Sequence, residues 1–565
     1  MVAPIIADLI GSPPPLLLTV LLWPFIIPLL LLEHYRATRT VVGAQAGTTR
    51  EAPPPPHPTL SAMALAHKIR SRTLTSRELT EAFIARLKAI NAAGLNAVCA
   101  ESFQASLAVA DAADAAVAND SIPDGPEGLL WGVPLVVKEC FEVPGMPFTA
   151  GIGTRIGCVG DACCPAIARL RGQPILATTN VSEACMFHES ANVIYGRTRN
   201  PHDLSRTPGG SSGGCAALVA AGCAPLAVTS DVGGSTRIPA LYCGLFGHKP
   251  TGGTVPNTRT LPKVHPTSLV GRYCQLGPTA QHAVDLWPLL CKIAGPDGAD
   301  EMVRPTSRDD LLRTSPEDID VRRLRVIVLE EPFLPWPLRS RLHPELRQAQ
   351  RSAADALELM GCDVVRWGAH EMHNNLPEAS HAFSIWAAML GSAQPIPFRQ
   401  LISDGRAMGD ELTVYRALLE LGRCLWGGGA SARHTLPAIG LAIVEEIDAS
   451  FPSMRAAIKA RGERLRERLN ALLGGGDAVL LLPSLLTPAP RHHENLLRFP
   501  DAAQTGLFNV MELPATAVPL GTGSGRLPLG CQVVAGFGHD QVSLAVAIAL
   551  EREGVARSVV KRGPL

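Results

Sequence analysis

Short apolar runs alternate with amphipathic helical patterns along most of the chain. Five of these runs have the length of buried strands. They are "VPLVVKE" from Val133, "RVIVLEE" from Arg325, "AVLLLPS" from Ala478, "ATAVPLG" from Ala515 and "LGCQVVAG" from Leu529. Strands interleaved with helices predict an α/β domain with a central mixed, twisted β-sheet covered by helices.

Three helices are marked by their ends as well as by their periodicity. Thr75 and Glu78 have the spacing of a capping box, and apolar residues recur on one face of the segment that follows. These apolar residues are Leu79, Phe83, Leu87 and Ile90. A second helix is predicted over 343–360, ending before Gly361, and a third over 541–553, between Asp540 and Gly554.

The N-terminal region differs from the rest of the chain because residues 16–32 form an uncharged apolar segment. Its length is about that needed to cross a bilayer, so residues 1–35 are predicted to be a membrane anchor. The start lacks the basic residues of a signal peptide, whereas Arg36 and Arg39 follow the apolar segment. This charge pattern predicts that the rest of the chain faces the cytoplasm, on the endoplasmic reticulum or a lipid droplet.

Prolines leave the form of this anchor open. Pro24 and Pro28 lie inside the apolar segment and would kink a helix. A hairpin that dips into one leaflet is therefore an alternative to a spanning helix, and a cleaved segment is a third.

A proline-rich linker over 36–58, with the sequence "EAPPPPHP" from Glu51, separates the anchor from a catalytic domain over 59–565. Within that domain the region 383–447 joins apolar segments through glycines, as in "LLELGRCLWGGGA". We interpret it as an inserted cap that contacts membrane or admits a lipid. Ordinary helical packing is the alternative.

Composition narrows the classes of function. The 565 residues include 51 basic and 51 acidic residues, so no net charge attracts nucleic acid. The 14 cysteines are scattered without the spacing of zinc ligands, and "HEMH" at His370 lacks the spacing of the HExxH zinc motif. We therefore expect buried thiols, no metal, no organic cofactor and no nucleic-acid partner.

Two Gly-Gly-Ser turns lie in "TPGGSSGGCAALVAAGCAPLAVTSDVGGSTRIPA", which begins at Thr207. Neither turn has the spacing of a phosphate-binding loop. The first matches the G-x-S-x-G pattern of a nucleophile elbow centred on Ser212, but no buried strand precedes it. The turns instead adjoin rigid elements, because Gly213 and Gly214 lead into a small-residue helix and "PLAVTS" predicts a strand before the second turn.

This arrangement indicates nucleophilic catalysis. Backbone N–H groups at the second turn could stabilise an oxyanion. The predicted donors are Val232, Gly233, Gly234 and Ser235. A serine also needs a base, and Lys138 follows an apolar run in "GVPLVVKECF". Burial lowers the pKa of a lysine, which would make Lys138 a base near neutral pH.

The segments "GVPLVVKE", "TPGGSSGG" and "SDVGGSTRIPA", followed by "GLFGHKPTGG", resemble in order and spacing the catalytic segments of the amidase signature family. The match includes the interval of 24 residues between Ser211 and Ser235. The resemblance implies that Ser235 is the acyl-forming nucleophile. It also implies that Ser211, on a cis peptide, relays a proton and that Lys138 is the base.

The same resemblance implies supporting roles around these three residues. Ser212 would support the site, and Asp231 and Arg237 would brace the oxyanion loop. Met186 and Phe187 resemble residues that line the acyl channel of fatty-acid amide hydrolases, the subgroup to which the sequence is most similar.

The expected protein is a membrane-associated serine hydrolase. It would cleave fatty-acid amides, meaning primary fatty amides and N-acylethanolamines, to a fatty acid and ammonia or an amine through a Ser-Ser-Lys triad and an acyl-enzyme. Its expected partners are the lipid amide and a membrane or lipid-droplet surface, and the resemblance is compatible with a homodimer. The alternatives are an amidase for non-lipid amides or esters, the glutaminase subunit of an amidotransferase, and an inactive membrane-tethered scaffold.

Overall fold

The computed structural model describes residues 53–55, 57, 60–403, 433–561, 563 and 565. The predicted anchor and most of the predicted linker lie outside these residues, as does the part of the predicted cap over 404–432. None of the helices in the described ranges combines the length and the apolar composition that crossing a bilayer requires.

The strands of the described chain form a large mixed sheet and a separate two-stranded ribbon. They are β1 (Val98–Glu101), β2 (Leu135–Lys138), β3 (Ile175–Thr179), β4 (Ala191–Asn192), β5 (Gly196–Arg197), β6 (Leu226–Asp231), β7 (Phe246–Lys249), β8 (Gln275–Ala280), β9 (Arg325–Leu329), β10 (Asp363–Trp367), β11 (Ala478–Leu482), β12 (Ala515–Thr522) and β13 (Pro528–Ala535). The 11-stranded sheet has the order β1-β3-β2-β6-β8-β7-β12-β13-β11-β9-β10, and β4 pairs with β5. The five apolar runs singled out in the sequence are all strands of this sheet.

Helices cover both faces of the sheet. The described helices are α1 (Ala62–Arg70), α2 (Ser76–Ile90), α3 (Phe103–Ala118), α4 (Pro165–Ala168), α5 (Gly213–Ala220), α6 (Arg237–Cys243), α7 (Val270–Tyr273), α8 (Leu286–Ile293), α9 (Ser307–Leu312), α10 (Pro344–Met360), α11 (Ala369–Asn375), α12 (Ala382–Ala393), α13 (Phe398–Ile402), α14 (Leu436–Ala449), α15 (Pro452–Leu473), α16 (Ala503–Val510) and α17 (Asp540–Arg552). The predicted α/β domain is confirmed.

Strand β9 shows why the sheet has two apolar cores. Val326 and Val328 pack into one buried cluster, whereas Ile327 and Leu329 pack into a second cluster. Successive side chains of a strand point to opposite faces, so an uninterrupted apolar run buries both faces at once. The helices that cover the two faces supply the rest of each cluster.

The predicted helix ends are present. Thr75 and Glu78 form both bonds of the capping box at the start of α2. Helix α10 ends at Gly361, whose φ of 105° suits a residue without a side chain. These local signals predict helix ends well because capping involves only neighbouring residues.

The fold places side by side the two strands that precede candidate site residues. Strands β2 and β6 are parallel neighbours, with Leu135 opposite Leu226. Parallel neighbours end at the same edge of a sheet, which is where α/β proteins place their sites. Lys138 ends β2 and Asp231 ends β6 at this edge.

The described parts of the 383–447 region divide between two environments. In α12, Ile385, Ala388 and Met389 are buried in the second apolar cluster, as expected for ordinary packing. Other residues of α12, together with residues of α13 and α14, line a cavity that reaches the candidate site. The prediction of an inserted cap stays a prediction, because much of the region lies outside the described residues.

Candidate active site

Lys138 is fully buried at the end of β2, and its ammonium nitrogen contacts two serines. Nζ lies 2.7 Å from Oγ of Ser211 and 2.9 Å from Oγ of Ser230. It also lies 3.3 Å from the carbonyl oxygen of Ser230. The structure therefore brings together Lys138 and Ser211, which are 73 residues apart in the chain.

The first Gly-Gly-Ser turn places Ser211 and Ser212 directly before α5. The Gly210–Ser211 peptide bond is cis, as the family resemblance implied. The N–H of Ser212 donates to the carbonyl oxygen of Ser235 at 3.3 Å, and its hydroxyl donates to the carbonyl oxygen of Ser230 at 3.4 Å. Ser212 thus ties the first turn to the second.

The second turn is held by the carboxylate of Asp231. Oδ1 accepts from the N–H of Gly234 at 2.6 Å, and Oδ2 accepts from the N–H of Thr236 at 3.2 Å. The sequence predicted that the N–H of Gly234 is a donor to the oxyanion. In the structure this N–H is donated to Asp231 and braces the turn instead. Gly234 has a φ of +117°, and a Cβ there would lie 2.2 Å from Oγ1 of Thr505. Only glycine fits this position.

Asp231 and Arg237 form a buried ion pair beneath the turn, and both side chains have 0% exposure. The guanidinium donates to both carboxylate oxygens, at 2.9 and 3.0 Å. The side-chain oxygens of Asn509 and Gln532 accept two further hydrogen bonds from the guanidinium. Burial raises the pKa of Asp231, but the charge and hydrogen bonds of Arg237 outweigh it and hold that pKa well below its ordinary value.

Residues distant in the chain fix the carbonyl groups of the turn. Nε1 of Trp386 donates to the carbonyl oxygen of Val232 at 3.0 Å, and Oγ1 of Thr505 donates to that of Gly233 at 2.8 Å. Sequence reasoning missed both residues. No local pattern marks them, because each acts through a contact across more than 150 positions.

Two cysteines beside Lys138 were also missed. Cys185 and Cys140 line the same cavity as the two serines. A hydrogen bond with Cys140, opposed by burial and aided by the charge of Lys138, lowers the pKa of the Cys185 thiol to about 7. Burial lowers the pKa of Lys138, but the negative charge of Cys185, with smaller effects of other thiols, raises it overall. The prediction of a lowered pKa for Lys138 is therefore wrong in direction, because it omits the charge of Cys185.

Ser211 and Ser235 open onto a cavity lined mainly by apolar side chains, with Glu445 and Asp448 of α14 among the charged residues of its lining. Helices α12, α13 and α14 supply much of this lining, including Phe383, Leu390, Phe398, Leu401, Leu441 and Val444. Met186 also lines the cavity, but Phe187 lies on a second cavity with Glu183 and Glu189. The structure therefore places one of the two predicted channel residues beside the serines.

Among the residues that the structure describes, no histidine lines this cavity. His370 lies on α11, where Nε2 contacts the side chain of Asn374 at 3.0 Å. His492 bonds to Glu189 at 2.6 Å, near the second cavity. In the part of the chain that the structure describes, no group of three His, Cys, Asp or Glu side chains is arranged to hold a metal ion.

Comparison with known proteins identifies the fold and the chemistry together. A family model described as "Amidase" matches residues 78–544, most of the described chain. The chain belongs to the amidase signature family. This membership confirms the family resemblance seen in the catalytic segments.

Relatives of this chain within the amidase signature family include two fatty-acid amide hydrolases. The chain is 36% identical over 512 residues to "Fatty-acid amide hydrolase 2-A" of Danio rerio, covering 87% of this chain and 88% of the relative. It is 35% identical over 503 residues to "Fatty-acid amide hydrolase 2" of Homo sapiens, with coverage of 87% and 88%. The predicted similarity to the fatty-acid amide hydrolase subgroup is thus confirmed.

A solved structure supports the fold. The native peptide amidase from Stenotrophomonas maltophilia aligns with a TM-score of 0.69, covering 89% of this chain and 99% of that one at 24% identity. Together with the family match and the relatives, this likeness identifies the chain as an amide hydrolase with a single amidase-signature domain.

Proposed function

We propose that this amidase is a membrane-associated serine hydrolase that cleaves fatty-acid amides to a fatty acid and ammonia or an amine. The observation that carries the proposal is the 2.7 Å contact between Nζ of Lys138 and Oγ of Ser211. That contact lies at one end of a cavity that also exposes Ser235 and is walled by apolar side chains.

The contact supports a proton relay. The relay works through the neutral form of Lys138, which is the minority form near neutral pH because the negative charge of Cys185 raises the pKa of Lys138. In that form Lys138 accepts the proton of the Ser211 hydroxyl, and Ser211 in turn accepts the proton of Ser235. The Ser235 oxygen then attacks the amide carbonyl carbon and forms a tetrahedral intermediate. The N–H groups of Val232, Gly233 and Ser235 stabilise its oxyanion, while that of Gly234 keeps the turn in shape through Asp231.

Collapse of this intermediate breaks the carbon–nitrogen bond. The proton held by the relay moves to the leaving nitrogen, which departs as ammonia or an amine, and the acyl group stays on Ser235 as an ester. Water, deprotonated through the same relay, then attacks the ester and releases the acid. Each proton taken from a nucleophile is returned to a leaving group, so Lys138 ends the cycle neutral.

The lining of the cavity supports a long acyl chain as substrate. Most of its lining consists of aromatic and aliphatic side chains, many of them from α12, α13 and α14, which bind methylene groups by excluding water. The names of the two relatives point to the same substrate class. An apolar segment at residues 16–32 supports attachment to the membrane that holds such substrates, either as a spanning helix or as a hairpin.

Labelling with a fluorophosphonate probe tests the assignment of the nucleophile. Ser235→Ala should abolish labelling, whereas Ser212→Ala should keep it, because Ser212 only links the two turns. Lys138→Ala should lose turnover near neutral pH. Labelling that persists in Ser235→Ala and disappears in Ser212→Ala would transfer the nucleophile's role to Ser212.

Substrate profiling tests the acyl-chain assignment separately. The full chain should hydrolyse oleamide with a higher kcat/KM than acetamide, because acetamide leaves the apolar walls unfilled. Equal values would reject the lipid substrate and favour an amidase of broader range. Membrane attachment is tested on the same preparation by alkaline carbonate extraction, which should leave the protein with the membranes.

A further inference from the structure

Glu183 is a buried carboxylate that joins the turn Glu183–Cys185 to the start of α14. Residues of both segments line the cavity that holds Ser211 and Ser235. Glu183 lies in the 3-10 turn Glu183–Cys185 and has 3% exposure. Oε1 lies 2.6 Å from Nδ1 of His434, and Oε2 accepts from the N–H of Thr435 at 2.7 Å. We call this pair of bonds the Glu183 clasp.

One side of the Glu183 clasp is continuous with the catalytic end of the cavity. Cys185 ends the turn that begins at Glu183, and Met186 follows it directly. Both side chains line the cavity that holds Ser211 and Ser235. Glu183 therefore belongs to the segment whose next residues border the catalytic end of the cavity.

The other side of the clasp is the start of α14, which begins at Leu436 directly after Thr435. Leu441 and Val444 of α14 line the apolar part of the cavity. A carboxylate bonded to an N–H at a helix start forms a charge-assisted bond and interacts favourably with the helix dipole. The clasp thus ties the N-terminal end of α14 to the turn Glu183–Cys185.

Helix α14 in turn holds α13. Oε2 of Glu445 accepts from the N–H of Phe398 at 2.7 Å. Phe398 and Leu401 of α13 also line the cavity. Helices α13 and α14 are therefore joined to each other, and the Glu183 clasp joins them to the turn Glu183–Cys185.

We propose that Glu183 is a positioning residue that sets the preference of the enzyme for long acyl chains. The clasp holds α13 and α14 at a fixed distance from the turn Glu183–Cys185. A long acyl chain can therefore contact both helices while its amide group lies at Ser235. A short amide does not reach α13 or α14 and gains nothing from the clasp. This proposal rests on the proposed function, in which the cavity holds the acyl chain.

The chain contains a matched control six residues further on. Oε1 of Glu189 lies 2.6 Å from Nδ1 of His492, and Oε2 accepts from the N–H of His493 at 2.9 Å. Glu189 has 4% exposure, close to that of Glu183. The two carboxylates make the same kinds of bond, and both border the second cavity. The Glu183 clasp continues into α14, whose Leu441 and Val444 line the catalytic cavity, whereas the bonds of Glu189 lead into the turn Glu494–Leu496, which does not line it.

The experiment compares Glu183→Ala, Glu183→Gln and Glu189→Gln in the full chain, with oleamide and acetamide as substrates. Glu183→Ala should raise KM for oleamide at least tenfold and leave kcat for acetamide within twofold of the wild-type value. Glu183→Gln keeps an oxygen that accepts from Thr435 and should give a smaller rise. Glu189→Gln should leave the ratio of the two kcat/KM values unchanged.

Two results would overturn the proposal. Equal losses on both substrates in the Glu183 variants would show a general effect on the fold, as would the same change of ratio in Glu189→Gln. If Glu183→Ala does not fold, Glu183→Gln decides, and an unchanged ratio in that variant rejects the role. A wild-type enzyme without preference for oleamide would reject the proposed function itself, whereas a wild-type preference that is unchanged in the Glu183 variants rejects only this inference.

Discussion

Replacing Asp231 by alanine removes the carboxylate that braces the second turn. Asp231 accepts the N–H of Gly234 at 2.6 Å and two bonds from the guanidinium of Arg237 at 2.9 and 3.0 Å. Both charged side chains have 0% exposure. The Asp231→Ala variant would leave the positive charge of Arg237 buried without this carboxylate, and would free the N–H of Gly234.

The size of the effect follows from the burial of the pair. Removing one partner of a buried ion pair costs roughly 3–5 kcal/mol in the free energy of unfolding. A domain of about 500 residues has an unfolding entropy of roughly 1 kcal/mol/K near its melting temperature. We therefore expect Asp231→Ala to lower Tm by about 4 °C.

Differential scanning calorimetry measures this change, and a double variant identifies its cause. In Asp231→Ala with Arg237→Met neither charge is left buried alone, so the double variant should lose less stability than the two single variants together. The pKa of Asp231 is below its ordinary value in the folded state, so its contribution is complete above about pH 4 and decreases only at more acidic pH. The difference in Tm should thus be equal at pH 7 and pH 5.

The reasoning fails if Asp231→Ala lowers Tm by less than about 1 °C, because the buried charge of Arg237 would then have found another partner. It fails equally if the losses of the two single variants add up in the double variant. A loss of stability that grows between pH 7 and pH 5 would contradict the assignment of the depressed pKa to Asp231.

Two further predictions concern single residues of the site. Gly234→Ala forces a φ of +117° on a residue with a side chain and places its Cβ 2.2 Å from Oγ1 of Thr505, so we expect a loss of at least about 2 kcal/mol in thermal unfolding. Gly440→Ala, where a Cβ meets nothing within 4 Å, should instead leave stability unchanged or raise it. Cys185→Ala removes the negative charge that raises the pKa of Lys138, so the acidic limb of the kcat/KM profile should move to lower pH.

Each of these predictions has a clear contrary result. Equal stability of the Gly234 and Gly440 variants would show that the turn can relax around a side chain. A pH profile of Cys185→Ala that superimposes on that of the wild type would exclude Cys185 as the source of the raised pKa. Cys223→Ala is the matched control for the profile, because Cys223 is also fully buried but does not line the catalytic cavity.

Much of the local structure could be predicted from the sequence. The capping box at Thr75, the helix end at Gly361 and the helix start after Ser212 depend on residues within a few positions of one another. The apolar runs predicted strands, but the sequence could not say which strands are neighbours. Strand pairing brings distant segments together, so β2 lies next to β6 through packing of the whole sheet.

The sequence by itself determined the elements, the two glycine turns and, through family resemblance, the three residues Lys138, Ser211 and Ser235. Glycines and caps act locally, so their effects can be read from neighbouring residues. Only the tertiary structure decided what holds these residues and what surrounds them. The ties from Trp386 and Thr505 to the turn, and the Glu183 clasp, join positions more than 150 residues apart.

The pKa of Lys138 shows the physical reason for this division. Burial could be predicted from the apolar run before it, but the pKa also depends on each charge within a few ångströms. Cys185 lies 47 positions further along the chain and reaches Lys138 only because the sheet and the turn fold together. Electrostatics and packing act through distance in space, whereas a sequence pattern reports only distance along the chain.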